Sequence, residues 1–256
     1  MRSALIIGAS GDIGQAVAAK LAAAGWSLYL HYFKHEQVVM DQIKAYQAAY
    51  PHQDFIPLQY DLTDDRHLDE LTNQLFSLDA VIFAAGMTYY HLFKETTVPE
   101  MTTLMRVHLL TPMVLLTKVE RKLAQSGHGR VIFIGSVYGG TGSAMEVAYS
   151  TVKGAQSAFV KAYAQEVASL GITVNVVAPG AVTTKMNTKM FDSDTLAKVQ
   201  AEIPAARFAT PQDISYYVSM LVAKDAAYLT GQTLYVTGGW RMSVSYTHLT
   251  LPTNSL

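Results

Sequence analysis

Three polar side chains in the middle of the chain have the types and spacing needed to reduce a carbonyl group. Tyr149 and Lys153 are four residues apart, so on a helix they share one face, and Ser136 precedes them. A hydride that reaches a carbonyl carbon requires a proton at the oxygen. Tyrosine has an unperturbed pKa of about 10, which a nearby ammonium lowers by favouring the phenolate. We predict that Tyr149 donates the proton and that Ser136 hydrogen-bonds the same oxygen. The alternative is a solvated pair on a helix surface.

A strand, a loop and a helix are needed to hold these residues together. The apolar run at 131–134 ends at Gly135 and is typical of a buried strand, so Ser136 lies just past the strand end. A glycine-rich loop follows, and a helix is predicted from about residue 149 to residue 171.

The N-terminal part of the chain has the pattern of a dinucleotide-binding loop. A buried strand at 4–7 is followed by GASGDIG and then by an alanine-rich helix at 15–24. Glycines let the backbone approach a pyrophosphate, whose charge the helix N-terminus stabilises. The alternative is a tight turn that needs glycine for its own geometry. The loop residues expected to contact the cofactor are Gly8, Ser10, Gly11, Asp12, Ile13 and Gly14.

The end of the second predicted strand, at 27–32, indicates which cofactor binds. A carboxylate at this place binds the ribose 2′-hydroxyl of NAD, whereas basic residues accept the 2′-phosphate of NADP. The sequence has Tyr32, Phe33 and Lys34 here, flanked by His31 and His35, and no acid before Glu36. The pattern favours NADP. The alternative is that Lys34 lies on a solvated loop.

Strands and helices alternate through the rest of the chain with short connections, which predicts an α/β fold. We expect a single Rossmann-type doubly wound parallel β-sheet, with helices on both faces, over residues 1–241. Ligands then bind at the carboxyl ends of the strands, where the small residues Ala84, Ala85, Gly86, Pro179 and Gly180 also fall. The remaining predicted strands are 55–58, 80–83, 172–177 and 234–236, and the remaining predicted helices are 38–50, 67–75, 101–123 and 210–222.

Two segments stand apart from this alternation. Residues 181–209 are longer and more polar than the other connections, and have the placement of a substrate lid or of a packed helical insertion. Residues 242–256 show no periodicity and follow a strand that already completes the fold. They resemble translated sequencing-adapter read-through, so we expect a disordered, non-native tail.

Composition excludes several other classes of function. Among 256 residues, 50% are hydrophobic, 15% are charged, and the net charge is −1. No basic run is present, which argues against nucleic acid or a membrane surface as a partner. The absence of cysteine excludes disulfides and thiolate metal sites. We predict a cytoplasmic protein without a metal.

Taken together, these motifs resemble the short-chain dehydrogenase/reductase family over roughly residues 2–240. They are GASGDIG at 8–14, DLTD at 61–64, AAG at 84–86, Ser136, YSTVK at 149–153 and PGAVTT at 179–184. The resemblance implies that Tyr149 donates the proton, that Ser136 orients the carbonyl, and that Lys153 binds the nicotinamide ribose and lowers the tyrosine pKa. It further implies cofactor contacts from Asp61 and Leu62 to the adenine, from Thr184 to the carboxamide, and from Val182 beside it.

The sequence departs from the family pattern at three places. Gly11 and Asp12 stand where the family usually has another residue followed by its middle glycine, and Ala84 replaces an asparagine. His108 occupies the position of the family's fourth catalytic residue, an asparagine that anchors a proton-relay water. Histidine titrates near neutral pH, so we expect His108 to serve a modified relay. The alternative is a histidine packed in a helix interface.

Within the family, the chain is most similar to the 3-oxoacyl-[acyl-carrier-protein] reductase group and, more narrowly, to bacterial elongation factor P 5-aminopentanone reductases. The local matches are HY in the second strand, VHL around His108, and MEVAYSTVKGAQ. The resemblance implies NADPH as cofactor, a ketone carried on elongation factor P or on acyl carrier protein as substrate, and a homotetramer. A non-catalytic NADP-binding regulator remains the alternative from another class.

Overall fold

The computed structural model describes residues 2–64, 66–185 and 193–240, and it contains one seven-stranded parallel sheet. The strands lie in the order β3-β2-β1-β4-β5-β6-β7, and this order confirms the predicted doubly wound α/β fold. Their bounds are β1 Ser3–Ile7, β2 Ser27–Tyr32, β3 Phe55–Gln59, β4 Ala80–Phe83, β5 Arg130–Ile134, β6 Thr173–Pro179 and β7 Thr233–Val236.

Helices cover both faces of this sheet and create two apolar cores. One core joins the sheet to the helices at 68–73, 111–125 and 147–167, and it includes the stacked rings of Phe83 and Phe133, whose centroids are 4.6 Å apart. The other core joins the sheet to the helices at 12–23, 36–49 and 211–221. Because both faces are covered, β1 is buried along its whole length. The helices are α1 Asp12–Ala23, α2 Glu36–Ala49, α3 Leu68–Asn73, α4 Val98–Met105, α5 Thr111–Gln125, α6 Tyr138–Thr141, α7 Val147–Val167, α8 Ser193–Glu202 and α9 Pro211–Leu221.

The prediction of a single helix at 101–123 is wrong in one respect. A π-helical turn at Arg106–Leu110 divides this segment into α4 and α5. Pro112 has no N–H to donate to the carbonyl of His108, four residues earlier, so the α-helical ladder cannot continue there. The N–H of Thr111 instead donates to the carbonyl of Arg106. The carbonyl of His108 accepts a 2.6 Å hydrogen bond from Gln156 Nε2 on α7. The break at Pro112 is thus accompanied by a hydrogen bond that links the π-helical turn to α7.

The carboxyl ends of β1, β4, β5 and β6 meet at one edge of the sheet, as predicted. The glycine loop after β1 packs against the turn after β4 so closely that side chains are excluded. A Cβ added at Gly8, whose φ is +86°, would lie 2.5 Å from the backbone of Ala85. A Cβ added at Gly14 would lie 2.1 Å from the carbonyl of Gly8. The glycines therefore bring two strand ends into contact.

The predicted lid is described in part, as 181–185 and 193–209, and the predicted tail lies outside the described residues. Ile203, just after α8, packs with Val137 and Trp240 in a small separate cluster. Within the part of the chain that the structure describes, no helix is both long and apolar enough to cross a membrane.

Candidate active site

A cavity of about 860 Å³ opens at the carboxyl edge of the sheet and brings most of the predicted site residues together. All of them line it except Gly14, Lys34 and His108. The predicted residues along its wall are Gly8, Ser10, Gly11, Asp12, Ile13, Tyr32, Phe33, Asp61, Leu62, Ala84, Ala85, Gly86, Ser136, Tyr149, Lys153, Pro179, Gly180, Val182 and Thr184. The described part of the predicted lid also contributes Leu196, Val199 and Phe208.

The end of β5 and the first turns of α7 bring Ser136, Tyr149 and Lys153 to the same cavity. Ser136 and Tyr149 are joined by a side-chain hydrogen bond. Lys153 is buried, its Nζ donates to the carbonyl of Ile134 at 2.7 Å, and it lies 5.5 Å from the centre of the Tyr149 ring. This hydrogen bond anchors α7, which carries Tyr149 and Lys153 on one face, to β5, the strand that Ser136 follows. The burial of Lys153 therefore excludes the alternative of a solvated Tyr–Lys pair.

Burial controls the protonation of these groups and reverses one expectation. Burial raises the pKa of Tyr149 well above its usual range and outweighs the hydrogen bond with Ser136, which lowers it. The charge of Glu146 also raises the pKa of Tyr149. Burial lowers the pKa of Lys153 to about 7. The predicted lowering of the tyrosine pKa by this lysine is therefore not met in this structure, because desolvation disfavours the charged form of each group.

His108 lies next to Tyr149 in the π-helical turn, and it is buried but outside the cavity wall. Its ring packs edge-on against Tyr149, with centroids 5.5 Å apart, and beside Gly86, where an added Cβ would lie 3.1 Å from Cε1. Nε2 lies 2.8 Å from the carbonyl oxygen of Met87 and 3.3 Å from the backbone nitrogen of the same residue, whereas Nδ1 is buried without a hydrogen-bond partner among the described residues. Burial and the charge of Lys153 lower the His108 pKa to about 3, so the ring is neutral at pH 7.

The glycine loop is held by a residue that sequence reasoning did not assign to the site. The N–H of Gly8 donates to Nδ1 of His31 at 3.0 Å, and Nε2 of His31 lies 3.1 Å from the carbonyl of Tyr60. Burial lowers the pKa of His31 to about 4, so the neutral ring both accepts and donates. From the sequence, His31 was expected only to flank the residues that select the cofactor at the end of the second strand.

The cradle around the loop fits a dinucleotide. The loop follows β1, lines the cavity with Gly8, Ser10 and Gly11, and opens α1, whose N-terminus can stabilise the charge of a pyrophosphate. Asp12, which departs from the family pattern, accepts a 2.6 Å hydrogen bond from the N–H of Lys185. Asp12 therefore ties the glycine loop to the base of the predicted lid.

Lys34, predicted as a cofactor contact, does not line the cavity. It is exposed, and its Nζ lies 5.0 Å from the ring centre of Phe33, which does line the wall. His35 lines the cavity beside Phe33. The nearest carboxylate after β2, Glu36, accepts a hydrogen bond from the Tyr32 hydroxyl at 3.1 Å.

Thr88 and Glu146 also line the cavity and were not predicted. They come from separate loops, and a single threonine and a single glutamate carry no spacing signal in the sequence. Among the described residues, no group of three or more histidine or acidic side chains is placed to hold a metal ion.

Comparison with known proteins extends over almost the whole chain. A family model described as enoyl-(acyl carrier protein) reductase matches residues 8–241. The uncharacterised oxidoreductase YmfI of Bacillus subtilis is 34% identical over 240 residues, which cover 93% of this chain and 98% of that protein. The 3-oxoacyl-[acyl-carrier-protein] reductase FabG of Escherichia coli is 34% identical over 245 residues, covering 93% and 97%.

A solved structure has the same fold. YwfH, described as an NADPH-dependent reductase involved in bacilysin biosynthesis, superposes with a TM-score of 0.86 at 22% sequence identity. The match covers 95% of this chain and 99% of that one.

The buried side chains of His31 and His108 make the free energy of unfolding depend on pH. Their pKa values fall from 6.5 to about 4 for His31 and about 3 for His108, so the unfolded state binds more protons below pH 6.5. The stabilisation is complete above pH 6.5 and is lost as pH falls toward 4. We expect the free energy of unfolding to decrease by up to roughly 1.4 kcal/mol per pH unit for each histidine.

Urea unfolding at pH 7, 6 and 5 measures this slope. His31→Gln should make it shallower, whereas His52→Gln, a change at an exposed histidine, should leave it as in the unmodified protein. An unchanged slope in His31→Gln would contradict the assignment of a neutral, hydrogen-bonded ring.

Proposed function

The chain belongs to the short-chain dehydrogenase/reductase family, and from that premise we propose that it is an NADPH-dependent ketone reductase with Tyr149 as proton donor. One observation carries the proposal. Ser136, Tyr149 and Lys153 line the same cavity as the glycine loop, so a proton donor faces the space in which a nicotinamide ring and a carbonyl would lie together.

In the proposed reaction, the glycine loop and Lys153 would hold NADPH, which would supply the hydride for the carbonyl carbon and be oxidised to NADP⁺. Tyr149 transfers its hydroxyl proton to the carbonyl oxygen, which yields a secondary alcohol. Ser136 orients that oxygen through its hydroxyl group and stabilises the negative charge that develops there. The proton lost by Tyr149 returns from solvent, and the reaction then balances as one hydride and one proton added across the C=O bond.

Lys153 and His108 are proposed to serve the return of that proton. Lys153 titrates near pH 7, which suits a group that both gains and loses protons at neutral pH. Lys153 is also proposed to bind the nicotinamide ribose. His108 presents a neutral ring whose Nδ1 has a lone pair available behind Tyr149. We assign it a place in the relay.

NADPH is proposed rather than NADH because the end of β2 offers no free carboxylate to a ribose 2′-hydroxyl. Glu36 is engaged by Tyr32, and His35 and Phe33 line the wall where a 2′-phosphate would lie, with Lys34 at its exposed rim. The description of YwfH as NADPH-dependent agrees with this choice. The remaining predicted contacts keep their proposed roles, with Asp61 and Leu62 at the adenine and Thr184 at the carboxamide.

The proposed substrate is the 5-aminopentanone group on elongation factor P, supported by the local matches in the second strand and around the catalytic helix. The second candidate is a 3-oxoacyl chain on acyl carrier protein, which the identity to FabG favours. A regulator without turnover would need no proton donor. We further propose a cytoplasmic homotetramer packed through the helices at 101–123 and 149–170, where Met105 and Leu110 expose apolar surface, as do Val98 and Val147 just before these ranges.

Replacing Tyr149 tests the mechanism. Tyr149→Phe removes the donated proton but keeps the ring that packs against His108, so we expect turnover to fall by about 10² to 10⁴-fold. NADPH binding, followed by fluorescence of the reduced nicotinamide, should stay within about twofold. Wild-type turnover in this variant would show that Tyr149 is not the proton donor.

Replacing His108 tests the relay. His108→Ala should slow turnover by about tenfold or more if Nδ1 carries protons behind Tyr149. Turnover is measured under saturating NADPH and ketone, with folding checked by thermal unfolding. A folded variant with the wild-type rate would make His108 a packing residue only.

The choice of substrate is tested by NADPH consumption with two protein-borne ketones, elongation factor P bearing the aminopentanone group and a 3-oxoacyl carrier protein. We expect turnover with the former, and faster turnover with NADPH than with NADH. Turnover confined to the acyl substrate would make the second candidate correct. NADPH binding without turnover of either would favour the regulator.

A further inference from the structure

We propose that the carboxylate of Glu146 selects ketones that carry a positively charged amine a few ångströms from the carbonyl. The inference rests on the proposed function, since it assigns a specificity group to the same cavity. It defines a chemical class of substrate, cationic amino ketones, and it distinguishes between the two candidate carriers.

Glu146 is placed beside the reacting atoms. It is the residue that precedes α7, three positions before Tyr149, and both side chains line the same cavity. The negative charge of Glu146 raises the pKa of Tyr149.

The carboxylate is held in position by the loop that follows β4. Thr88, after β4, donates its hydroxyl to Glu146 Oε1 at 2.9 Å. Met145 adopts a left-handed φ of 68°, unusual for a residue other than glycine, and its carbonyl accepts the N–H of His91 at 3.0 Å. Two hydrogen bonds therefore join the loops and direct Glu146 toward the cavity.

Because Glu146 is buried, its carboxylate can discriminate between cationic and apolar substrates. Only 5% of Glu146 is exposed, and a charge removed from water is costly unless an opposite charge or hydrogen-bond donors accompany it. An ammonium group entering the cavity would form a charge-assisted hydrogen bond with it. An apolar acyl chain carries no charge to interact with the carboxylate, so such a substrate is disfavoured relative to a cationic one.

The test uses two ketones of matched shape. The probe 4-acetylpiperidine is an ammonium at neutral pH, and cyclohexyl methyl ketone has the same ring with carbon in place of nitrogen. With NADPH, we expect the wild-type kcat/KM to favour the charged ketone by about tenfold or more, equal to about 1.4 kcal/mol. Glu146→Gln, which keeps the shape and loses the charge, should reduce this ratio by a similar factor.

Glu95→Gln is the matched control. Glu95 is an exposed carboxylate on the segment between β4 and α4, which also carries Thr88, and it does not line the cavity. Its ratio should equal that of the wild type. A wild-type ratio of one, or a Glu146→Gln ratio equal to the wild-type ratio, would overturn the inference.

A binding measurement separates this inference from the proposed function. Calorimetric titration of the wild-type protein with NADPH and either 4-piperidinemethanol or cyclohexylmethanol requires neither turnover nor a variant. We expect the charged alcohol to bind about tenfold more tightly, and equal affinities would overturn the inference. Failure to reduce either ketone would instead count against the proposed function, while the two affinities would still decide the role of Glu146.

Discussion

The parallel sheet with both faces covered is the constraint on which the rest of the structure depends. Its strands are apolar on either side, so polar chemistry is confined to the edge where they end. Gly8, Ala85, Ser136 and Gly180 meet at that edge because each follows a strand. Lys153 then ties the catalytic helix to this arrangement through the carbonyl of Ile134, the last residue of β5.

Burial at this edge determines which groups are charged. It keeps His31 and His108 neutral, raises the pKa of Tyr149 and lowers that of Lys153 to about 7. Each neutral histidine accepts or donates through defined nitrogens, so protonation and position are coupled. Glu146 contributes a negative charge to the same space, where neighbouring dipoles and charges act with less screening than in water.

Sequence reasoning predicted the parts of the site that depend on local pattern. The glycine loop, Ser136, Tyr149 and Lys153 follow from strand ends and helical spacing, and the structure brings them together. Glu146 and His31 were missed because their positions depend on contacts between distant segments, Thr88 with Glu146 and Gly8 with His31. The break in the helix at 101–123 was different, since Pro112 was visible in the sequence and marks the interruption.

That break has a consequence for how this helix tolerates change in length. A π-helical turn contains one residue more than the neighbouring α-helical turns, so the segment Arg106–Leu110 behaves as a one-residue insertion. The wide turn absorbs that residue, so α4 and α5 on either side keep the faces that they present to the rest of the fold. Within the turn itself, His108 packs against Tyr149 and its carbonyl accepts from Gln156. A change in length at this turn would therefore alter the candidate active site before it altered the packing of the flanking helices.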